Sequence, residues 1–193
     1  MSKEELRRLL LQARRHRRDK SRDDAALATQ CLLLLETCGP GPVAAYHPLP
    51  TEPGHGALVE VLRATGRRPL LPIALPDGTL AWAFDGPTAP GALGIAEPTG
   101  SRYGVSALRE CALILVPALG ITPRGYRLGK GGGYYDRTLA ELSSPRPPVA
   151  ALAYPEEIRP DIPVEPHDQA VDYLVEPSGW RPQSKEVCSP GSC

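Results

Sequence analysis

Leu6, Leu9, Leu10 and Ala13, and then Ala25, Ala26, Leu32, Leu33 and Leu35, recur near the 3.6-residue period, and no Pro or Gly interrupts before Gly39. This pattern predicts helix from Lys3 to about Cys38. An unbroken helix of more than about 25 residues is unusual in a globular domain. The polar stretch Asp19–Asp24 therefore predicts a break into two helices, with Ser21 placed to cap the second. After the Gly39–Pro42 cluster the period changes. Val43–Tyr46 reads as a short strand, His47–Gly56 as a loop dense in Pro and Gly, and Leu58–Thr65 as a helix. Arg68–Leu75 reads as a strand interrupted by prolines, Pro76-Asp77-Gly78 as a turn, and Leu80–Phe84 as a further strand. Cys111–Val116 is an unbroken apolar run of strand length, the pattern of a strand covered on both faces. Tyr134–Ser143 is helical in pattern, and Val149–Tyr154 and Gln169–Val175 are strands.

Alternating strands and helices predict an α/β fold: an open, mostly parallel sheet flanked by helices, a Rossmann-like single domain. The expected boundaries are residues 1–177 for the domain and 178–193 for a flexible tail of Ser, Pro and Gly character. Composition agrees with a folded chain. Of 193 residues, 41% are hydrophobic and 23% charged, which excludes a wholly disordered protein. The 23 prolines and 19 glycines predict many turns and short elements.

Charge adds one asymmetry. Lys and Arg number 22 and Asp and Glu 22, for a formal net charge of zero, which argues against a nucleic-acid binder acting through bulk charge. Residues 1–22 nevertheless hold nine of the basic and three of the acidic residues, leaving 13 basic against 19 acidic in the remainder. The run Arg14-Arg15-His16-Arg17-Arg18 has no interleaved aromatic and reads as a solvated helix face, so no nucleic-acid partner is expected. No apolar run approaches the roughly 20 residues of a membrane span. The basic N-terminus lacks the apolar core of a secretory signal. Cysteines at 31, 38, 111, 188 and 193 are odd in number and form no C-x-x-C pair. Reduced thiols in a cytoplasmic protein are the simple expectation.

The chemistry concentrates between the most strand-like run and a helix, in Arg127-Leu128-Gly129-Lys130-Gly131-Gly132-Gly133-Tyr134-Tyr135-Asp136-Arg137. Open α/β sheets place ligands there, outside the carboxyl ends of their strands. Four glycines in five positions allow close backbone approach and can turn several N–H groups into one concavity. Arg127, Lys130 and Arg137 add full positive charges, so the segment points to polyphosphate. Asp136 beside such a loop suggests magnesium bridging to nucleotide oxygens. Neither the Walker spacing nor G-x-G-x-x-G is met, and the plain alternative is a tight turn between strand and helix.

Arg127–Arg137 resembles the signature of the 5-formyltetrahydrofolate cyclo-ligase family, also called methenyltetrahydrofolate synthetases. Three further matches extend the likeness over about residues 3–176: Lys3-Glu-Glu-Leu-Arg7, Gly94-Ile95-Ala96-Glu97-Pro98, and Glu165-Pro-His-Asp168 with Asp172. The resemblance implies ATP-dependent closure of 5-formyltetrahydrofolate to 5,10-methenyltetrahydrofolate, with Mg2+, by a monomer acting on small molecules. It implies that Lys3, Arg7 and Lys130 are catalytic, with Lys3, Arg7, Arg127, Leu128, Gly129, Lys130, Gly131, Gly132, Gly133, Tyr134 and Tyr135 around ATP. On the folate side it implies His47 and Glu52, joined by Lys130, Gly131, Gly132, Gly133 and Tyr134, and it implies Asp136 and Asp168 as metal ligands. Two positions depart from the family pattern: His55 stands where a threonine is common, and Ile121-Thr122 replaces an apolar residue followed by Asp. A rival from another class is a folate- or nucleotide-binding module without turnover.

Overall fold

Consecutive residues of a strand point to opposite faces, so an unbroken apolar run needs a core on each side of its sheet. The computed structural model, which describes residues 1–92, 94–142, 144–166 and 168–183, shows both cores. The chain begins with α1 (Lys3–Arg15) and α2 (Lys20–Glu36), then β1 (Val43–Ala44), α3 (Leu58–Ala64), β2 (Pro69–Ala74) and β3 (Leu80–Phe84). A small hairpin of β4 (Thr88–Pro90) and β5 (Ala96–Pro98) and a 3-10 turn (Val105–Glu110) lead into β6 (Leu113–Pro117). A second small hairpin, β7 (Gly120–Ile121) with β8 (Arg127–Leu128), precedes α4 (Tyr134–Glu141) and β9 (Val149–Leu152). A 3-10 turn (Pro155–Glu157), β10 (Tyr173–Glu176) and β11 (Gly179–Pro182) close the order.

Among the described residues the main sheet has seven strands in the order β11-β10-β9-β6-β1-β2-β3. The pairs from β10 through β2 are parallel, and the two edge pairs, β2 with β3 and β10 with β11, are antiparallel. The predicted open, mostly parallel α/β sheet is therefore observed. Leu113 and Leu115 pack with Leu27, Leu34 and Leu58 on one face. Ile114 and Val116 pack with Trp82, Leu139 and Leu142 on the other.

Several expectations change in detail. The first helical region divides between Arg15 and Lys20, and Asp19 rather than Ser21 occupies the cap position of α2. The stretch read as tail from residue 178 begins instead with a strand. Trp180 sits opposite Val175, and its ring meets Tyr173 edge-on at 5.7 Å. Pro182 is tolerated because β11 is the sheet's outer strand. The remainder of that expected tail, 184–193 with Cys188 and Cys193, lies outside the described residues. Cys31, Cys38 and Cys111 are free thiols, and burial pushes Cys111 up to about 11 and Cys31 higher still. No helix among the described residues is long and apolar enough to cross a membrane.

Candidate active site

A glycine loop holds a ligand only if its surroundings fix it. Two helices do this. α1 opens on a reciprocal cap: Ser2 Oγ accepts the Glu5 N–H at 3.2 Å, and the Ser2 N–H donates to Glu5 Oε2 at 2.8 Å. Its Leu6 and Leu10 are buried against Leu119, Leu128 and Ile162, which lays the helix along the segment leading into the loop. Lys3 and Arg7, four residues apart, share one face. Arg7 Nε donates to the Gly129 carbonyl at 2.9 Å. Lys3 Nζ lies 2.8 Å from Glu165 Oε2 and 2.9 Å from Asp168 Oδ2. Burial works to lower the Lys3 pKa, but the two carboxylates outweigh it and raise the value above the ordinary one.

The second helix is α4. Gly133, at φ 69°, makes the left-handed step that turns the loop into its first turn, and Gly131 at φ 106° is likewise where a side chain would be strained. Arg137 donates to the carbonyl oxygens of Gly132, at 2.6 Å, and Gly78, at 2.9 Å. It therefore staples the loop to the turn between β2 and β3 and does not stand among the cations expected to face a phosphate.

Loop, sheet edge and the 47–52 segment enclose a cavity of about 400 Å³, within the range of small-molecule sites. One wall is apolar, with Pro72, Ala74, Leu80, Leu119 and the rings of Tyr134 and Tyr135. Tyr135 is held edge-on to Trp82 at 6.4 Å, and burial raises its phenol well above the ordinary value. The polar groups are Arg14, Arg127 and Lys130 against Glu52, Glu97 and Asp136, with His47 beside them. Lys130 Nζ crosses to Glu52 Oε1 at 2.6 Å, and Glu52 Oε2 accepts the Leu49 N–H at 2.8 Å. His47 Nδ1 lies 3.0 Å from the Ala96 carbonyl. Arg127 pairs with Asp136 and is almost wholly buried. Burial lowers the Arg127 pKa, and Asp136 opposes the shift. The Nε of Arg127 is buried without a hydrogen-bond partner among the described residues, a donor that an anionic ligand would satisfy.

Most of the expected site is thus gathered in one place. Gly129, Lys130, Gly132, Gly133, Tyr134 and Tyr135 line the cavity, as do His47, Glu52, Arg127 and Asp136. Lys3, Arg7, Leu128, Gly131 and Asp168 do not form its wall. Leu128 belongs to the apolar contact beneath α1, while Arg7 stands outside the loop and holds it through Gly129, and Lys3 pairs with Glu165 and Asp168.

The family model for 5-formyltetrahydrofolate cyclo-ligases matches residues 1–177. The chain belongs to that family. A relative from Mycolicibacterium smegmatis, named 5-formyltetrahydrofolate cyclo-ligase, is 37% identical over 186 residues, covering 91% of this chain and 94% of its own. A solved 5,10-methenyltetrahydrofolate synthetase from Aquifex aeolicus superposes with a TM-score of 0.74 at 25% identity, over 100% of this chain and 96% of that one. One from Mycoplasma pneumoniae gives 0.75 at 23% identity, over 92% and 99%, and shows the same fold.

Against the cyclo-ligase pattern, neither departure reaches the cavity wall. His55 lies 2.9 Å from the Pro48 carbonyl through Nδ1, and Thr122 accepts the Tyr126 N–H at 3.1 Å in the β7–β8 turn, beside a fully buried Ile121. Among the cavity residues with no expected role are Arg14, Ile95 and Glu97. Arg14 was read within a solvated charge run, yet it is 4% exposed and paired with Glu157 at 2.5 Å. Ile95 and Glu97 sit in the Gly94–Pro98 match, and Glu97 Oε1 accepts the Ala74 N–H at 3.0 Å. The alternation in that match was the available signal.

Proposed function

We propose that this protein, a cytoplasmic monomer, uses ATP to close 5-formyltetrahydrofolate to 5,10-methenyltetrahydrofolate, releasing ADP and phosphate. The observation that carries the reading is the Lys130–Glu52 contact, which joins the glycine loop and a buried carboxylate across one cavity. A carboxylate accepts from adjacent N–H donors such as those on a pterin, and Glu52 has its second oxygen already oriented by Leu49. The apolar wall with Tyr134 and Tyr135 suits a flat heterocycle. Lys130, Arg127 with its unpartnered Nε, and the loop's backbone supply the positive end for a triphosphate.

A formamide oxygen leaves poorly, so N10 cannot close the ring directly. In the proposed sequence the formyl oxygen attacks the γ-phosphorus and ADP departs. N10 then attacks the imidate carbon, phosphate leaves with the C–O bond, and N10 loses its proton. Nearly all of the catalysis in the first step is positioning and charge stabilisation. In this reading Lys130 holds the transferring group against the formyl oxygen, and Arg7 keeps the loop in register through Gly129.

Magnesium would neutralise phosphate oxygens when bound. It commonly takes one or two carboxylates and completes its shell with phosphate and water. Asp136, in the cavity wall, fits as such a ligand, although among the described residues no cluster of three metal-ligating side chains occurs. Asp168 is engaged by Lys3 and by the Glu165 N–H at 2.8 Å, so its fitted role is to hold Lys3. Asp136→Asn keeps an acceptor for Arg127 and removes the charge. The expected outcome is a magnesium requirement raised at least about tenfold, read by titrating the metal in the turnover assay.

The direct test of the function mixes protein, Mg-ATP and 5-formyltetrahydrofolate and follows the near-ultraviolet absorbance of methenyltetrahydrofolate. Growth of that band with stoichiometric ADP is expected. Folate binding without the band would leave a storage module instead.

A further inference from the structure

Glu52 sits on a loop rich in Pro and Gly, which by itself would not hold a carboxylate in one place. A polar cluster, all of it outside the cavity wall except Tyr46, grips the loop's backbone at three consecutive residues. Lys20 Nζ donates to the Glu52 carbonyl at 2.9 Å, Tyr46 OH donates to the Pro53 carbonyl at 2.6 Å, and the Gly54 N–H donates to Asp24 Oδ1 at 2.8 Å. Asp24 is 2% exposed and is the hub, because the same Oδ1 accepts Tyr154 OH at 2.6 Å and Oδ2 pairs with Lys20. The guanidinium of Arg17, itself paired with Asp23 and Glu156, covers the Tyr154 ring at 3.8 Å. None of Lys20, Asp24 or Tyr154 lines the cavity.

A buried aspartate beside a part-buried lysine is costly to desolvate, and packed apolar residues could fill the same space at least as stably. What the charged pair adds is direction, since its hydrogen bonds fix the backbone that directly follows the Glu52 side chain, at the Glu52 carbonyl and the Gly54 N–H. We infer that Lys20, Asp24 and Tyr154 are positioning residues that set the Glu52 carboxylate for the folate half of the reaction. The inference rests on the proposed function, in which Glu52 meets the folate. α2 thereby links its first turn to the site, and Tyr154, which follows β9, ties the sheet to the same loop.

The test compares Lys20→Met, Lys20→Arg and Tyr154→Phe with the unaltered protein, measuring KM for each substrate, thermal midpoint and amide hydrogen exchange over residues 49–55. Tyr154→Phe keeps the ring beneath Arg17 and loses only the hydroxyl, so it serves if Lys20→Met does not fold. Loss of one charge-assisted anchor is expected to raise the folate KM about tenfold while the ATP KM moves less than about twofold. Lys20→Arg should recover most of the difference, and exchange of the Gly54 amide should quicken in Lys20→Met and Tyr154→Phe. Equal changes in both KM values, or a lowered midpoint with both KM values unmoved, would overturn the inference. An unaltered protein that binds both substrates without turnover would overturn the proposed function instead. In that case the positioning role is read from exchange and folate affinity, and unchanged values of both would overturn it.

Discussion

Lys130→Ala is expected to lower turnover by about 10²–10³ while the protein remains folded. The size follows from removing one preorganised cation from a site where, in the proposed reaction, charge develops during phosphoryl transfer. Retention of the fold follows from exposure. The Lys130 side chain is 42% exposed, and although its partner Glu52 is buried at 8%, the pair lies at the wall of an open cavity. A pair with one half in water contributes about 1 kcal/mol or less to stability, so the thermal midpoint should move by no more than a few degrees. The effect on chemistry thus exceeds the effect on stability by several-fold in free energy, and kinetics with thermal unfolding on one preparation separates the two. Lys130→Arg should recover only part of the rate, because a planar fork does not reproduce a compact ammonium between glycines. Near-native turnover in Lys130→Ala would remove the loop from the mechanism.

The parts of this fold that were legible in sequence are those whose signal is local. The run Leu113–Val116 announces a two-faced core because each residue needs its own apolar partner. The glycine loop announces itself because backbone at φ 69° and 106° demands glycine wherever the chain is used this way. The β4–β5 hairpin gave no such signal: Thr88–Pro90 is exposed throughout, and Pro and Gly mask its pairing. β11 was hidden in the same way, as an edge strand of four residues ending in Pro. Site residues divided along the same line. Lys130 and Asp136 stand in a contiguous motif, whereas the Lys20–Asp24 grip on the Glu52 loop joins residues 32 apart through a backbone carbonyl that any residue could supply. Side-chain identity carries no trace of such a contact. Asp168 is the opposite case. Its motif is plain, but the charge it meets, Lys3, comes from the other end of the chain.

Arg14 is a further long-range case, its partner lying 143 residues away, and it yields the largest expected change in stability. Arg14 Nε and Nη2 meet the two oxygens of Glu157 at 2.5 and 2.9 Å, and Nη2 also donates to the Ala118 carbonyl. Both side chains are 2% exposed. Burial raises the Glu157 carboxyl above its ordinary value, and the guanidinium works against that rise. Glu157 further accepts the Tyr154 N–H at 3.1 Å, which fixes the chain where it leaves β9. Glu157→Ala would strand a guanidinium in the interior, at a cost of about 3–5 kcal/mol. For a chain of this length that corresponds to a midpoint lower by about 6–20 °C. A solvated pair would lose about 1 kcal/mol or less, so the magnitude alone distinguishes the buried arrangement from the surface charge run that the sequence suggests. The double variant Arg14→Met with Glu157→Leu removes both charges together and should regain most of the loss, because well-packed apolar residues can replace a buried ion pair with little penalty. Turnover provides the second readout. Arg14 also lines the cavity, so a double variant that is stable yet slow would assign the guanidinium to the reaction, and one that is stable and fast would confine it to holding α1 against the Ala118 backbone.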